Sequence, residues 1–483
     1  MIKRFLNKYK NISPAVKMAF WFLFCSFLQK GIGFLTTPIF TRVMIEEEYG
    51  RFSIFNSWSG IVSTFVTLNI AGNCYTRGLV VNDKDKDRFG SSLQGLLTLC
   101  VGIGAVVFIL LKDLIFRVTG LSSFLIVLMF AEILLTNAYN FYYNRKRVEY
   151  NYKPIVIITI AFTILRPLLS VILVLMADSY HQVEARVISI VIVNAVMFLP
   201  LYFLTFVKGK CFYNKEYWKY AILFCIPLIP HYLSSVVLNQ ADRIMISHYI
   251  GDAEAAYYSV AYTLAGVMGF FNAAVAQSFD PWIYQSLKRK DLKRIGPVSY
   301  KITAFIALIN FLVVLIAPEI LTILAPSNYK SALYAIPPVT ISVFFTFMYS
   351  LFATFQFYFE KTKWVAIGSC IGAILNVILN AIFIPLYGFV AAGYTTLVCY
   401  ILFGVFHYYF MLKVCDEFLD GNRVYNATII FGIGGFLMVL CITSISLYGM
   451  PIIRYVIICV ILLGGIIKRK KLLDLYHSIS AKQ

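Results

Sequence analysis

Residues 155–177 read IVIITIAFTILRPLLSVILVLMA, an aliphatic run interrupted by a single charge, Arg166. At about 1.5 Å of rise per residue, a helix of this length crosses the roughly 30 Å hydrocarbon layer of a bilayer. Thirteen comparable stretches surround it: 18–38, 53–74, 90–111, 122–144, 184–206, 221–249, 256–279, 302–324, 335–357, 364–384, 389–412, 427–448 and 451–467. The strands of a membrane barrel would alternate over about 10 residues, and these runs do not. Composition agrees: of 483 residues, 60% are hydrophobic, 17% aromatic and only 13% charged, and mean hydropathy is +0.78. A soluble enzyme, a disordered chain and a disulfide scaffold are excluded, because water could not accommodate so much apolar surface. In hydrocarbon every backbone amide needs an internal partner, which helices supply. The chain therefore reads as an all-α polytopic membrane protein of about 14 transmembrane helices. Its loops are too short to hold a soluble domain, so its work is expected within the membrane.

Charge sets the expected topology. With the N-terminus cytoplasmic, alternate connections and the two tails hold 32 of the 42 Lys and Arg residues, the opposite side holds seven, and three lie inside spans. Cytoplasmic loops concentrate basic residues in this way, which predicts both termini inside the cell. The net charge of +19 is then a topological signal, with attraction to anionic membrane lipid, and no nucleic-acid partner is expected. Residues 1–17 read as a basic interfacial segment and 468–483 as a basic cytoplasmic tail. The first apolar run has the length of a span and no cleavage pattern, so no cleavable signal peptide is expected. The ten cysteines form no CxxC and no metal spacing.

A repeat runs through the chain. Thr41-Arg42-Val43-Met44-Ile45 closes the first span, and Asp242-Arg243-Ile244-Met245-Ile246 closes the seventh. Each block precedes a glycine, Gly50 or Gly251, and then an aromatic-Ser pair, Phe52-Ser53 or Tyr258-Ser259. Both copies follow an odd-numbered span and so share one orientation. This predicts two parallel six-span bundles, 18–207 and 221–412, joined by a cytoplasmic linker at 208–220 and followed by two extra spans within 427–467.

The segment Asp242-Arg243-Ile244-Met245-Ile246…Gly251…Tyr258-Ser259-Val260-Ala261-Tyr262 resembles the mid-chain signature of bacterial polysaccharide-biosynthesis membrane proteins. Thr41-Arg42…Glu48-Tyr49-Gly50…Phe52-Ser53 resembles their N-terminal signature. These are the lipid-linked oligosaccharide flippases, O-antigen transporters included, of the multidrug/oligosaccharidyl-lipid/polysaccharide exporter superfamily. The resemblance implies two pseudo-symmetric six-helix lobes around a central cavity, with two C-terminal helices added, working by alternating access. It implies a polyprenyl-pyrophosphate-linked oligosaccharide as substrate: an O-antigen, capsule or exopolysaccharide repeat unit. The location it implies is the bacterial cytoplasmic (inner) membrane, with a polysaccharide polymerase and a chain-length regulator as partners.

An ionisable side chain deep in a bilayer costs several kcal/mol, which makes it a functional candidate. Lys30, Arg166 and Glu132 fall near the middle of spans 1, 5 and 4. Polar residues at steps of three and four share their faces: Ser26, Gly33 and Thr37 with Lys30; Thr159, Thr163 and Ser170 with Arg166; Thr136, Tyr139 and Tyr143 with Glu132. One carboxylate cannot neutralise both cations. A Lys30–Glu132 or Arg166–Glu132 pair that locks the bundle is one reading. The other is a net-positive wall that receives a pyrophosphate, for which Arg supplies paired N–H donors. Lys30 and Arg166 are the leading phosphate candidates; Arg42, Arg243 and Arg77 are the others. Glu132, Asp242 and Asp280 are candidates for gating or for binding a coupling ion, H+ or Na+. Glu46-Glu47-Glu48 could complete an outer gate. Asn56, Trp58, Asn239, Gln240, Tyr257 and Tyr262 form a pool of glycan-contact candidates, each of which also serves as helix-packing glue. His231 reads as a packing residue, and Pro227, Pro230 and Pro337-Pro338 read as hinge positions.

Catalytic motifs, metal-ligand clusters and cofactor fingerprints are not found, and no P-loop is present. The expected activity is transport rather than catalysis. The alternative within the same superfamily is a multidrug/cation antiporter; the alternative outside it is a membrane-embedded polymer-ligating or acyl-transferring enzyme.

Overall fold

The computed structural model describes residues 14–467, so most of the basic segment 1–17 and all of the tail 468–483 lie outside the described residues. Seventeen α-helices follow one another, and no strand occurs among the described residues. In the first half these are α1 Pro14–Val43, α2 Glu46–Thr67, α3 Asn73–Val81, α4 Lys86–Leu110, α5 Lys112–Thr119, α6 Ser123–Val148, α7 Tyr152–Met176, α8 Gln182–Gly209, α9 Lys215–Cys225 and α10 Ile229–Tyr249. In the second half they are α11 Asp252–Lys288, α12 Leu292–Leu324, α13 Ile336–Tyr358, α14 Thr362–Tyr387, α15 Val390–Phe418, α16 Ala427–Thr443 and α17 Pro451–Ile467. Counting α9 and α10 as one rod, fourteen of these elements coincide with the expected spans. Twelve are long and apolar enough to cross a membrane on length and hydropathy alone. The exceptions are α2, with its charged first turn, and α17, which is short.

Several boundaries differ from the sequence expectation for local physical reasons. The second span runs over Glu46–Thr67 rather than 53–74. Glu46, Glu47 and Glu48 occupy its first turn, where carboxylates offset the helix dipole, so the helix begins in polar sequence. It ends where Leu68 and Asn69 both take positive φ, 50° each, and α3 restarts in a new direction. Ahead of the fourth span stands the separate short helix α5, which Gly120 terminates at φ 68°. The Pro227 break is a three-residue 3₁₀ turn, Ile226–Leu228, between α9 and α10. Pro337 and Pro338 fall in the first turn of α13, where a missing N–H leaves no hydrogen bond unmade.

The chain divides into two compact units, Met1–Gln240 and Ala241–Gln483. Within the first, α8 packs along α6 and α7, α7 along α1, and α4 against α6 and α8. Within the second, α15 packs along α13 and α14, α13 along α11, and α12 against α11, α13 and α16. The pairing of fourth with sixth and fifth with sixth span is thus repeated in each unit, as the duplicated sequence blocks predict. An aromatic cluster of Tyr139, Phe162 and Phe198 fills part of the first unit, and Phe344, Phe347, Phe352 and Phe355 of α13 centre the core of the second. α17 is fastened to α12 by Arg454, which is buried. Its guanidinium meets both Glu319 carboxylate oxygens at 2.7 and 2.8 Å and the Leu315 carbonyl at 2.7 Å.

Candidate functional site

Two cavities open in the first unit. One, of about 300 Å³, is lined from α1 by Gln29, Gly33, Thr36 and Phe40, and from α2 by Phe52 and Asn56. Glu132 comes from α6, Phe162, Thr163, Arg166 and Ser170 from α7, and Arg186 from α8. The other, of about 400 Å³, is lined by hydroxyls and amides: Ser59, Ser63, Thr64 and Thr67 of α2, Asn69, Thr136, Asn137 and Asn140 of α6, and Tyr232 and Ser235 of α10. Glu132 borders both.

Arg166 projects from the middle of α7, partly buried, eleven residues into the 155–177 run. Its Nε donates to the Asn194 Oδ1 at 2.8 Å, and its guanidinium carbon lies 4.5 Å from the Phe162 ring centroid and 5.7 Å from that of Phe198. Those aromatic faces favour a cation without neutralising it. Glu132 forms no ion pair within 4.0 Å among the described residues, and its Oε2 is buried without a hydrogen-bond partner. The structure thus brings Arg166 and Glu132 to one cavity without joining them directly. Lys30 is exposed on α1 and is not among the residues lining this cavity; its helix contributes the adjacent Gln29 instead.

The remaining candidates occupy other places. Arg42 donates back to the Pro38 carbonyl at 2.9 Å, and Arg77 on α3 lies 5.6 Å from the Phe224 ring. Asn56 lines the smaller cavity and donates to the Phe52 carbonyl, while the Trp58 Nε1 is buried without a partner. Gln240 accepts from Ser57, and Asn239 donates to the Ser235 carbonyl. Glu48 is buried; it pairs with Arg51 at 2.7 Å and accepts the Val183 amide at 2.9 Å. That geometry anchors the start of α8.

In the second unit, Asp242 of α10 is wholly buried. Its carboxylate accepts from Tyr258 at 2.6 Å, Asn380 at 2.7 Å and Thr396 at 2.9 Å. Asn376 and Thr395 extend the cluster by bonding to Thr396 and Asn380. A carboxylate ringed by neutral oxygen-bearing side chains has the donor chemistry for a proton or a small hard cation. The Arg243 guanidinium carbon lies 4.4 Å from the Tyr262 ring centroid. Tyr257 packs on Tyr329, and Asp280 accepts a long bond from Thr354 at 3.3 Å. Among the described residues no group of three His, Cys, Asp or Glu side chains is placed to hold a metal ion.

Sequence reasoning counted Arg186, at the edge of the 184–206 span, among the seven basic residues of the opposite side and did not mark it as a site residue. In the structure it lies in the first turns of α8 with its guanidinium over both Phe40 and Phe52. Nothing in the local sequence distinguishes it, because its partners come from α1 and α2. Asn376, Asn380 and Thr396 were missed for the same reason: they stand more than 130 positions from Asp242.

The fold has counterparts among solved polytopic membrane proteins. It superposes on the lipid II flippase MurJ in an inward closed conformation with a TM-score of 0.71 at 15% identity, covering 95% of this chain and 100% of that one. An inward-facing multidrug resistance MATE family transporter matches with a TM-score of 0.64 at 12% identity, over 82% of this chain and 96% of that one. A sequence profile of the polysaccharide biosynthesis protein family matches residues 15–287, more than half of the chain, and a MatE profile matches residues 227–382. The chain belongs to the polysaccharide biosynthesis protein family. It is 28% identical over 208 residues to Lsg locus putative protein 1 of Haemophilus influenzae, a match that takes in 41% of this chain and about half, 52%, of that relative's length.

Proposed function

We propose that this protein is a flippase that carries a polyprenyl-pyrophosphate-linked oligosaccharide across the bacterial cytoplasmic membrane by alternating access. The observation that carries the reading is Arg166: a guanidinium in mid-span, lining a polar cavity, with no carboxylate paired to it. Such a charge is expensive unless an anion visits, and a diphosphate presents two phosphoryl groups to a planar donor. Family membership and the MurJ-like fold support a lipid-linked substrate. The basic loops support cytoplasmic termini. Whether the glycan is an O-antigen, capsule or exopolysaccharide unit follows from the host's biosynthetic locus. A polymerase and a chain-length regulator are the partners such a substrate would meet on the outer face.

Lys30, Arg42, Arg77 and Arg243 remain proposed head-group contacts at other stages of a cycle, and Asn56, Trp58, Asn239, Gln240, Tyr257 and Tyr262 proposed glycan contacts. Asp242 with its oxygen cluster is proposed to bind the coupling ion, H+ or Na+, with Glu132 and Asp280 as further gating carboxylates. The test is export of surface glycan with Lys30→Ala and Arg166→Ala at matched expression. Arg166→Ala is expected to cut export at least tenfold and to accumulate the lipid-linked precursor, read by mass spectrometry of extracted lipid. Undiminished export in both variants refutes the binding assignment.

The MatE match over residues 227–382 favours a second reading, a drug/cation antiporter. A cationic substrate would be repelled by the guanidinium wall of the smaller cavity, which ranks this reading below the first. Drug efflux from cells whose surface glycan is unaffected by deletion would reverse that order.

A further inference from the structure

The larger cavity of the first unit, of about 400 Å³, has a wall of the opposite kind to a lipid-facing groove. Of the thirteen residues that line it, only Ile133 and Val236 are wholly apolar. Among the described residues that line it there is no Lys, Arg or His, and the single carboxylate is that of Glu132. Its size falls in the roughly 300–1,000 Å³ range of small-ligand pockets, but hydroxyls and amides stand where such pockets are mostly apolar.

The hydrogen-bonding sense of that wall is biased. On α2, the Thr64 hydroxyl donates to the Gly60 carbonyl at 2.9 Å and the Thr67 hydroxyl to the Ser63 carbonyl at 2.7 Å; on α10, the Ser235 hydroxyl donates to the His231 carbonyl at 3.1 Å. Each has committed its one proton to its own helix, so it can meet a ligand only as an acceptor. On α6, the Asn137 Nδ2 donates to the Ile133 carbonyl at 2.8 Å, and its Oδ1 can only accept. Glu132 adds Oε2, an oxygen buried without a donor. Acceptors withdrawn from water and left unpaired are costly, and a ligand that brings N–H donors satisfies them. An oxyanion brings none. A bare metal cation would need several oxygens gathered at roughly 2–2.6 Å, and an open volume of this size leaves too few of them that close.

We propose that this cavity is a sugar subsite that selects a ring bearing a nitrogen donor, an amino or acylamino sugar, with its N–H directed at Glu132 and its ring hydroxyls at Thr64, Thr67 and Ser235. The subsite rests on the flippase reading for the source of the sugar, a residue of the lipid-linked glycan, and adds the class of sugar that the chain selects. Glu132 borders both cavities, so a ligand held at Arg166 in the smaller one presents its adjoining sugar to this wall.

The test uses the full chain in phosphatidylcholine nanodiscs and four probes: farnesyl diphosphate, and the same compound with glucose, glucosamine or N-acetylglucosamine on its terminal phosphate. Calorimetric titration gives a Kd for each. The readout is the ratio between the glucose probe and each nitrogen-bearing probe, which loss of folded protein does not change. Expected in the wild type is a preference of about tenfold for the nitrogen-bearing sugars, the contribution of one hydrogen bond to a charged acceptor. Glu132→Gln should remove that preference for glucosamine, whose ammonium loses its counter-charge. It should keep part of it for N-acetylglucosamine, whose N–H the glutamine oxygen still accepts. Thr64→Val and Ser235→Ala, conservative changes that delete one acceptor each, should weaken the three sugar-bearing probes severalfold relative to farnesyl diphosphate. A preference confined to glucosamine names the ammonium as the recognised group, and one confined to N-acetylglucosamine names the amide; either supports the subsite. Equal affinity for all three sugar-bearing probes overturns it, and so does a preference that survives all three substitutions. Saturable sodium binding that Glu132→Gln abolishes, with no sugar preference, names a cation site and overturns it too. Equal affinities in a chain that exports glycan refute the subsite and spare the flippase reading. A nitrogen preference in a chain whose deletion leaves surface glycan intact does the reverse.

Discussion

Glu48 illustrates how one side chain can join distant elements. It lies in the first turn of α2, yet its second oxygen accepts the backbone amide of Val183 at the start of α8, while Gln182 bonds to the Val43 carbonyl and the Ile45 amide. At this position the acidic run that opens α2 ties it to the start of α8. Glu48→Ala leaves a buried amide without its acceptor and strands Arg51; a loss of about 1–2 kcal/mol is expected. It would be read as a lower melting temperature of the detergent-solubilised protein. In the loop before α8, His181 Nδ1 lies 2.8 and 3.0 Å from the two Asp178 oxygens. The hydrogen bond to Asp178 raises the His181 pKa above its ordinary 6.5, and the same bond to His181 lowers the Asp178 pKa below its ordinary 3.8. The His181 contribution is full below 6.5 and is lost as pH rises through the raised value. That of Asp178 is present above 3.8 and is lost as pH falls through the lowered one. An NMR titration should therefore find the imidazole titrating above 6.5 and returning toward 6.5 in Asp178→Asn. No change in that variant would contradict the contact.

At the scale of elements, close helix approach and interrupted helices decide the geometry. A Cβ on Gly209, at the end of α8, would overlap the Asp87 carbonyl oxygen and the Ser91 Cβ of α4. Gly209→Ala should push these helices apart at a cost of about 1–3 kcal/mol, seen as reduced thermal stability and faster proteolysis of the 210–214 connection. The α9–α10 break owes its form to Pro227, which gives up an amide donor in a 3₁₀ turn. The same residue type inside α7, α8, α11 and α14 leaves those helices continuous, as neighbouring helices in a membrane permit.

For the whole molecule, the Arg454–Glu319 pair holds α17, an apolar helix whose surface is otherwise largely exposed, against α12. Arg454→Ala removes a buried cation from a partly exposed carboxylate and should cost about 2–3 kcal/mol. The double variant Arg454→Ala/Glu319→Ala should recover part of that loss, a coupling that separate melting curves would measure. The basic loops make a further prediction. A fluorescent reporter fused after Gln483 should fold and emit in the cytoplasm, whereas alkaline phosphatase at the same point should stay inactive. The opposite pattern would invert the orientation of every candidate residue.

Helical class, span number and the repeat were legible in the sequence. Each depends on local composition, because hydrocarbon forces an apolar run to be helical. Span edges were less legible, because Glu46–Glu48 and the Leu68-Asn69 turn act through dipole and backbone conformation rather than hydropathy. Tertiary structure alone decided which polar groups meet. It turned Lys30 to an exposed face, brought Arg186 into the cavity of Arg166, and surrounded Asp242 with side chains from α11, α14 and α15. The reason is geometric. A helix face is set by residues three or four apart, whereas a cavity is set by the rotation and packing of several helices, and no single helix encodes that.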